Sequence, residues 1–112
     1  RSLEAAEALG AEGINVEVVD PRTLVPLDEE AILRSVAKTG RLLVVDECHQ
    51  RCGVGSEIVA VVAEQAHGDL VAPIRRVTTL DVPVPFSAPM EEFVEPTVGK
   101  IVEAARAVVD GR

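Results

Sequence analysis

The chain has no tryptophan and no tyrosine, and Phe86 and Phe93 are its only aromatic residues. A core of clustered aromatic rings is excluded. Val, Ile, Leu and Ala must build it instead, and these pack well in parallel strands and the helices that cover them. Positive charge is also scarce: 11 Lys and Arg stand against 19 Asp and Glu, a net charge of −8. Phosphate backbones are bound by clustered Lys and Arg, so no nucleic-acid partner is expected, whereas a basic protein partner is admitted. No run approaches the roughly twenty apolar residues that span a bilayer, so no membrane partner is expected either. The chain opens without a secretory pattern. Its two cysteines, Cys48 and Cys52, are too few for a disulfide framework, and reduced thiols in the cytoplasm are expected.

What is present is a chain of 112 residues, 47% of them apolar, which fits one domain over residues 1–112. Residues 1–10 read as a helix with Leu3, Ala6 and Leu9 on one face, closed by Gly10 or Gly13. Residues 14–19 alternate and then become continuously apolar, as a buried strand does. Asp28 caps the next helix. Glu29 and Glu30 lie at its positive end, Ile32, Leu33, Val36 and Ala37 form its buried stripe, and Gly40 stops it.

Residues 42–45 read as a central parallel strand, followed by a polar connection over 46–53. A helix then opens at Gly53 and runs to about His67, with Ile58, Val59, Val62, Ala63 and Ala66 inside. A further strand is expected over 74–77. Pro83, Pro85, Pro89 and Pro96 punctuate a connection with no period of its own. Thr97 caps a last helix, whose Val98, Ile101, Val102, Ala105, Val108 and Val109 keep helical spacing. This alternation implies a three-layer α/β/α sandwich around a mainly parallel sheet. Three strands are few for such a sheet. A further strand before residue 1 would repair the count, so a fragment of a longer subunit is expected.

Four constellations invite a chemical reading. Gly53-x-Gly55-x-Glu57 lies between a strand and a helix, where free amides seat an anion. It lacks the third glycine of a dinucleotide fingerprint and the Lys-Ser/Thr of a phosphate loop. Glycines that let the helix start close to the sheet are the simpler reading. Cys48-His49-x-x-Cys52 has only His67 to add as a ligand and three residues between its cysteines, so neither closed zinc nor a redox dithiol is favoured. Asp46-Glu47 sits at a strand's C-terminal end as an acid/base candidate, with capping or a partner contact as the alternative. Arg75 and Arg76 should point to opposite faces of the sheet, so that one reaches an edge or an interface. The stretch from Val82 to Pro89 concentrates proline, and with Phe86 and Phe93 it reads as a rigid arm against the chain or a neighbouring subunit.

The segments Val19-Asp-Pro-Arg-Thr-Leu-Val-Pro-Leu-Asp28, Lys38-Thr-Gly-Arg-Leu-Leu-Val-Val-Asp-Glu47 and Gly53-Val-Gly-Ser-Glu-Ile58 resemble the C-terminal domain of the transketolase-like family. Ala72-Pro-Ile-Arg-Arg-Val77 and Pro83-Val-Pro-Phe86 narrow the resemblance. They are similar to the β subunit of the decarboxylating component of pyruvate, acetoin and branched-chain 2-oxo acid dehydrogenase complexes. Asp46-Glu47 followed by Arg51-Cys52 is most similar to the acetoin type. Transketolase and deoxyxylulose-phosphate synthase share the first two motifs more loosely.

The resemblance implies a transketolase C-terminal-like fold whose first strand is missing here. It implies a parent enzyme that uses thiamine diphosphate with magnesium and passes an acyl group to lipoamide. No catalytic, cofactor-binding or metal-binding residue is expected on this chain. The implied partners are an α subunit and a second β subunit of a heterotetramer, and the basic peripheral subunit-binding domain of the acyltransferase core. Arg22, Glu47, Gly53, Gly55, Arg75 and Phe86 are the candidate anion or interface residues. A free-standing organic-anion module using Arg22 and the amides near Gly53 is the alternative from another class.

Overall fold

The structure is a computed structural model that describes residues 1–111. Helix α1 spans Ser2–Ala11, α2 Glu29–Thr39 and α3 Val54–Gln65. Strand β1 spans Leu43–His49 and β2 Arg75–Thr79, and α4 (Ala88–Val94) and α5 (Val98–Val109) close the chain. The strands are parallel, with Leu43 opposite Arg75 and Val45 opposite Val77; the register shifts between Asp46 and His49. A crossover through a helix is the ordinary way to join parallel strands, and α3 lies between these two.

Strand alternation sends consecutive apolar residues to two separate cores, which is what makes three layers. Leu43, Val45 and Val77 pack with Ala5, Leu9, Ile101 and Val102 under α1 and α5. On the other face, Leu42 and Ile74 join Ile32, Val36, Val62 and Ala66 between α2 and α3. Val62 and Leu9, almost completely buried, anchor these cores. Burying each such side chain stabilises the fold by about 1.5–3 kcal/mol.

The helix signals hold where a cap or a left-handed stop defines them. Asp28 accepts the Ala31 amide at 3.0 Å, and Gly40 ends α2 at φ 69° with a left-handed backbone. Thr97 accepts the Lys100 amide at the start of α5. Arg106 holds Glu12 across the gap from α5 to the end of α1, its Nε 2.9 Å from Oε2.

Several expectations are corrected. Residues 14–19 are not a strand: the segment is extended, but residues 15–20 make no backbone–backbone hydrogen bond among the described residues. The inner face of α1 is Ala5 and Leu9, while Leu3 is 73% exposed. Ala37 and Ala63 face solvent, and Val61 takes a buried place. β1 continues to His49, so half of the expected polar connection is strand. Residues 88–94 form α4, because Pro89 sits in its first turn, where a missing N–H costs nothing.

Candidate functional site

The C-terminal ends of β1 and β2 and the N-terminus of α3 converge, the place where parallel α/β sheets gather ligands. The sequence there dictates a close approach. A Cβ on Gly53 would stand 2.5 Å from the His49 carbonyl oxygen, and one on Gly55 would stand 3.1 Å from Val44. Only glycine lets the chain turn back so near the strand it has just left. Cys52, at φ 59°, takes a left-handed conformation within the same turn.

One of the first amides of α3 is met from inside the protein. Asp46 Oδ2 accepts the Gly55 N–H at 3.1 Å, and Oδ1 accepts the Cys48 N–H at 3.0 Å. Glu57 adds a second negative charge in the first turn. Both complement the positive end of the helix. The anion seat weighed at Gly53 and Gly55, where a helix starting close to the sheet is the simpler reading of the sequence, has its Gly55 amide held by a carboxylate of the chain. Arg22 belongs elsewhere: it is largely exposed and pairs with Asp20 of its own loop at 2.7 Å.

Glu47 is exposed, and its backbone carbonyl accepts the buried Thr79 hydroxyl at 2.7 Å. Asp46 has both oxygens engaged by amides, so the adjacent carboxylates divide into a cap and a surface charge. The Asp46 carboxylate, by its charge and then by hydrogen bonding, holds the Cys48 thiol above its ordinary pKa. Less thiolate means a poorer nucleophile and metal ligand. His67 lies beyond the far end of α3, about 18 Å along a twelve-residue helix. Among the described residues no three His, Cys, Asp or Glu side chains gather as a metal site.

The two consecutive arginines divide as alternation requires. Arg76 turns toward α3, where it donates to the Gln50 carbonyl and to Ser56 Oγ, both at 2.9 Å. Arg75, exposed, occupies the position of the opposite face at the start of β2.

The sequence reading missed the polar latch between the two strand exits. His49 Nδ1 donates to the Leu80 carbonyl at 3.0 Å, and Arg51 meets Asp81 at 3.2 Å. Together with Val82 and Pro83 they frame an open cleft of about 360 Å³. Its one sequence signal is the opposite charges placed just past each strand.

Beyond the cleft the apolar surface is unusual. Phe86 is fully exposed, Phe93 is 71% exposed, and Val84 and Met90 are also in solvent. The Lys100 ammonium lies 5.8 Å from the Phe93 ring centre and donates to the Glu95 carbonyl at 2.7 Å. Four exposed apolar side chains within ten residues of sequence are characteristic of a contact surface rather than a solvated one. The arm carrying Phe86 therefore lies over solvent, not on its own core.

Residues 1–101 match the model of the transketolase C-terminal domain. The β subunit of an acetoin:2,6-dichlorophenolindophenol oxidoreductase from Cupriavidus necator is 49% identical over 111 residues, covering 99% of this chain and 33% of that protein. The subunit of the same name from Bacillus subtilis is 48% identical over 90% of the chain and 30% of its own length. The pyruvate dehydrogenase E1 component β subunit of Rhizobium meliloti is 42% identical over 96% of the chain and 23% of its own length. Among solved structures, a split-gene transketolase described as an inactive β4 tetramer superposes with a TM-score of 0.82 at 31% identity, covering 98% of this chain and 34% of its own. The chain thus spans about a third or less of the relatives it matches.

Proposed function

Because the chain belongs to the transketolase C-terminal domain family, we propose that it is the C-terminal assembly and docking domain of a dehydrogenase β subunit. The parent enzyme would use thiamine diphosphate to cleave acetoin or a 2-oxo acid and pass the acyl group to lipoamide. The observation that carries this reading is the 49% identity to an acetoin oxidoreductase β subunit across 99% of the chain.

The residues present do not fit the cofactor. The Gly53–Gly55 turn has its Gly55 amide taken by Asp46, and Glu57 in the first turn of α3 repels an anion. No described cluster suits magnesium. The domain's contribution is then recognition rather than bond chemistry. Its exposed Phe86 and Phe93 supply apolar area for an α subunit or a second β subunit. Its net charge of −8 favours encounter with the basic peripheral subunit-binding domain of an acyltransferase core. No described helix is long and apolar enough to cross a membrane. We assign the parent enzyme to the cytoplasm.

The test is a titration of the chain with an isolated peripheral subunit-binding domain, beside an assay with thiamine diphosphate, magnesium, and acetoin or pyruvate. Saturable, salt-sensitive binding without turnover is expected. Turnover by the chain alone, or no binding at low salt, overturns the reading.

A further inference from the structure

The chain leaves the body of the fold at Asp81 and returns to it at Val94. Residues 81–93 are exposed, apart from partly buried Pro85 and Glu91, and in α4 it is Val94 that is buried. Val94 and Pro96 seat the base of this arm, and the Leu80 amide donates to the Val94 carbonyl at 3.3 Å. Phe93 lies on α4 and Phe86 two residues before it.

A helix of seven residues holds itself poorly. Its nucleation is costly for so few hydrogen bonds, and no side chain caps its start at Ser87. Its last carbonyls have no partner within the helix. Lys100 reaches them from α5. Its ammonium donates to the Phe93 carbonyl at 2.5 Å and to the Glu95 carbonyl at 2.7 Å, and it lies 5.8 Å from the Phe93 ring centre. A cation there complements the negative end of α4. The Lys100 amide donates to Thr97 Oγ1, so the root of this side chain is fixed as well.

The same lysine is badly placed for its own helix. It stands in the first turn of α5, the positive end, where acidic side chains are favoured and none is present. A residue that opposes its own helix and completes its neighbour serves the neighbour. Arg1 braces the junction through the Pro96 carbonyl at 2.9 Å and the Glu95 carboxylate at 2.7 Å, both beyond the last residue of α4.

From this geometry we propose that Lys100 is the positioning residue of the apolar arm: its ammonium ends α4 and sets the angle at which Phe93 and Phe86 meet a neighbouring subunit. The subunit contact rests on the assembly reading above; the hold on α4 does not.

Two variants test it: Lys100→Met keeps the aliphatic stem without the charge, and Lys100→Arg keeps charge and donors. In the 112-residue chain, amide exchange at 91–95 should quicken about tenfold in Lys100→Met, with residues 32–36 of α2 unchanged as the reference. Lys100→Arg should restore most of the protection. In a β subunit that carries this domain, Lys100→Met should weaken association about fivefold, because the arm is no longer held in its bound pose. Added to Phe86→Ser and Phe93→Ser together, it should weaken association no further, since it acts through those rings. Unchanged exchange at 91–95, or a quickening that α2 shares equally, overturns the proposal. So does full additivity with the ring variants. If the ring variants associate normally while Lys100→Met still loosens α4, the arm leaves the assembly reading and the hold of Lys100 on α4 stands.

Discussion

The Asp46 carboxylate, at the centre of β1, receives the Gly55 amide at 3.1 Å and so closes the N-terminus of α3 from within the fold. One side chain ties a strand to the helix that follows it, and its second oxygen fixes the Cys48 amide. Replacing Asp46 by Ala removes both acceptors and should cost about 1–2 kcal/mol, measured by urea denaturation. Asp46→Asn keeps an oxygen but not the charge. It should accelerate alkylation of Cys48 by iodoacetamide near neutral pH, because the carboxylate that holds the thiol protonated is gone. An unchanged alkylation rate would mean that Asp46 acts on α3 alone.

Gly53 should be intolerant of any side chain. Its added Cβ would stand 2.5 Å from backbone oxygen of His49, which no rotamer can relieve. Gly68, where a Cβ meets nothing within 4 Å, is the internal control. Gly53→Ala should destabilise the chain by about 1–3 kcal/mol. Gly68→Ala should be neutral or stabilising by up to about 1 kcal/mol. Equal thermal midpoints for the two variants would contradict the close approach.

These two positions also show what a sequence can and cannot convey. The α2 cap at Asp28 and the stop at Gly40 were legible because each acts on residues three or four positions away. The α5 stripe was legible for the same reason: its period is local. The extended segment 14–19 reads as a strand from its pattern, yet pairing needs a neighbour, and pattern carries no information about one. Leu3 fits a helical face equally well, but which face is buried depends on where α5 lies. The candidate site was less visible still. Asp46 caps an amide nine residues on, Arg51 meets Asp81 thirty residues away, and parallel topology alone brings those together. Exposure of Phe86 had a compositional trace, since both aromatics fall within eight residues in a proline-rich stretch.

The Glu12–Arg106 pair gives stability a defined pH dependence. Hydrogen bonding to Arg106 holds the Glu12 carboxyl below its usual range. A carboxyl with a lowered folded pKa stabilises the fold fully above its unfolded value, about 4.3. That contribution fades as pH falls through the folded value. Glu12→Gln should therefore lower the thermal midpoint near neutral pH and flatten its fall on acidification. Both carboxylate and guanidinium are about half exposed, so salt should weaken the difference. Parallel acid limbs for the two proteins would show that the pair is not coupled to folding.

Phe86 offers the sharpest separation between stability and assembly. Its ring is fully exposed and buries nothing against the chain, so Phe86→Ser should change the stability of the 112-residue protein by less than about 0.5 kcal/mol. Phe93, Met90 and Val84 are exposed in the same stretch of chain, and a ring at the centre of an apolar contact commonly contributes about 2 kcal/mol or more to association. In a β subunit that carries this domain, Phe86→Ser should thus weaken subunit association roughly thirtyfold, read by sedimentation at graded concentrations. Pairing it with Phe93→Ser should weaken association further, but by less than the sum of the two effects if the rings share one contact. Phe86→Leu should recover much of the loss, because apolar area rather than aromatic geometry would carry the contact. An association constant untouched by the double variant would remove the arm from the interface, and the acidic surface would then be left as the domain's means of recognition.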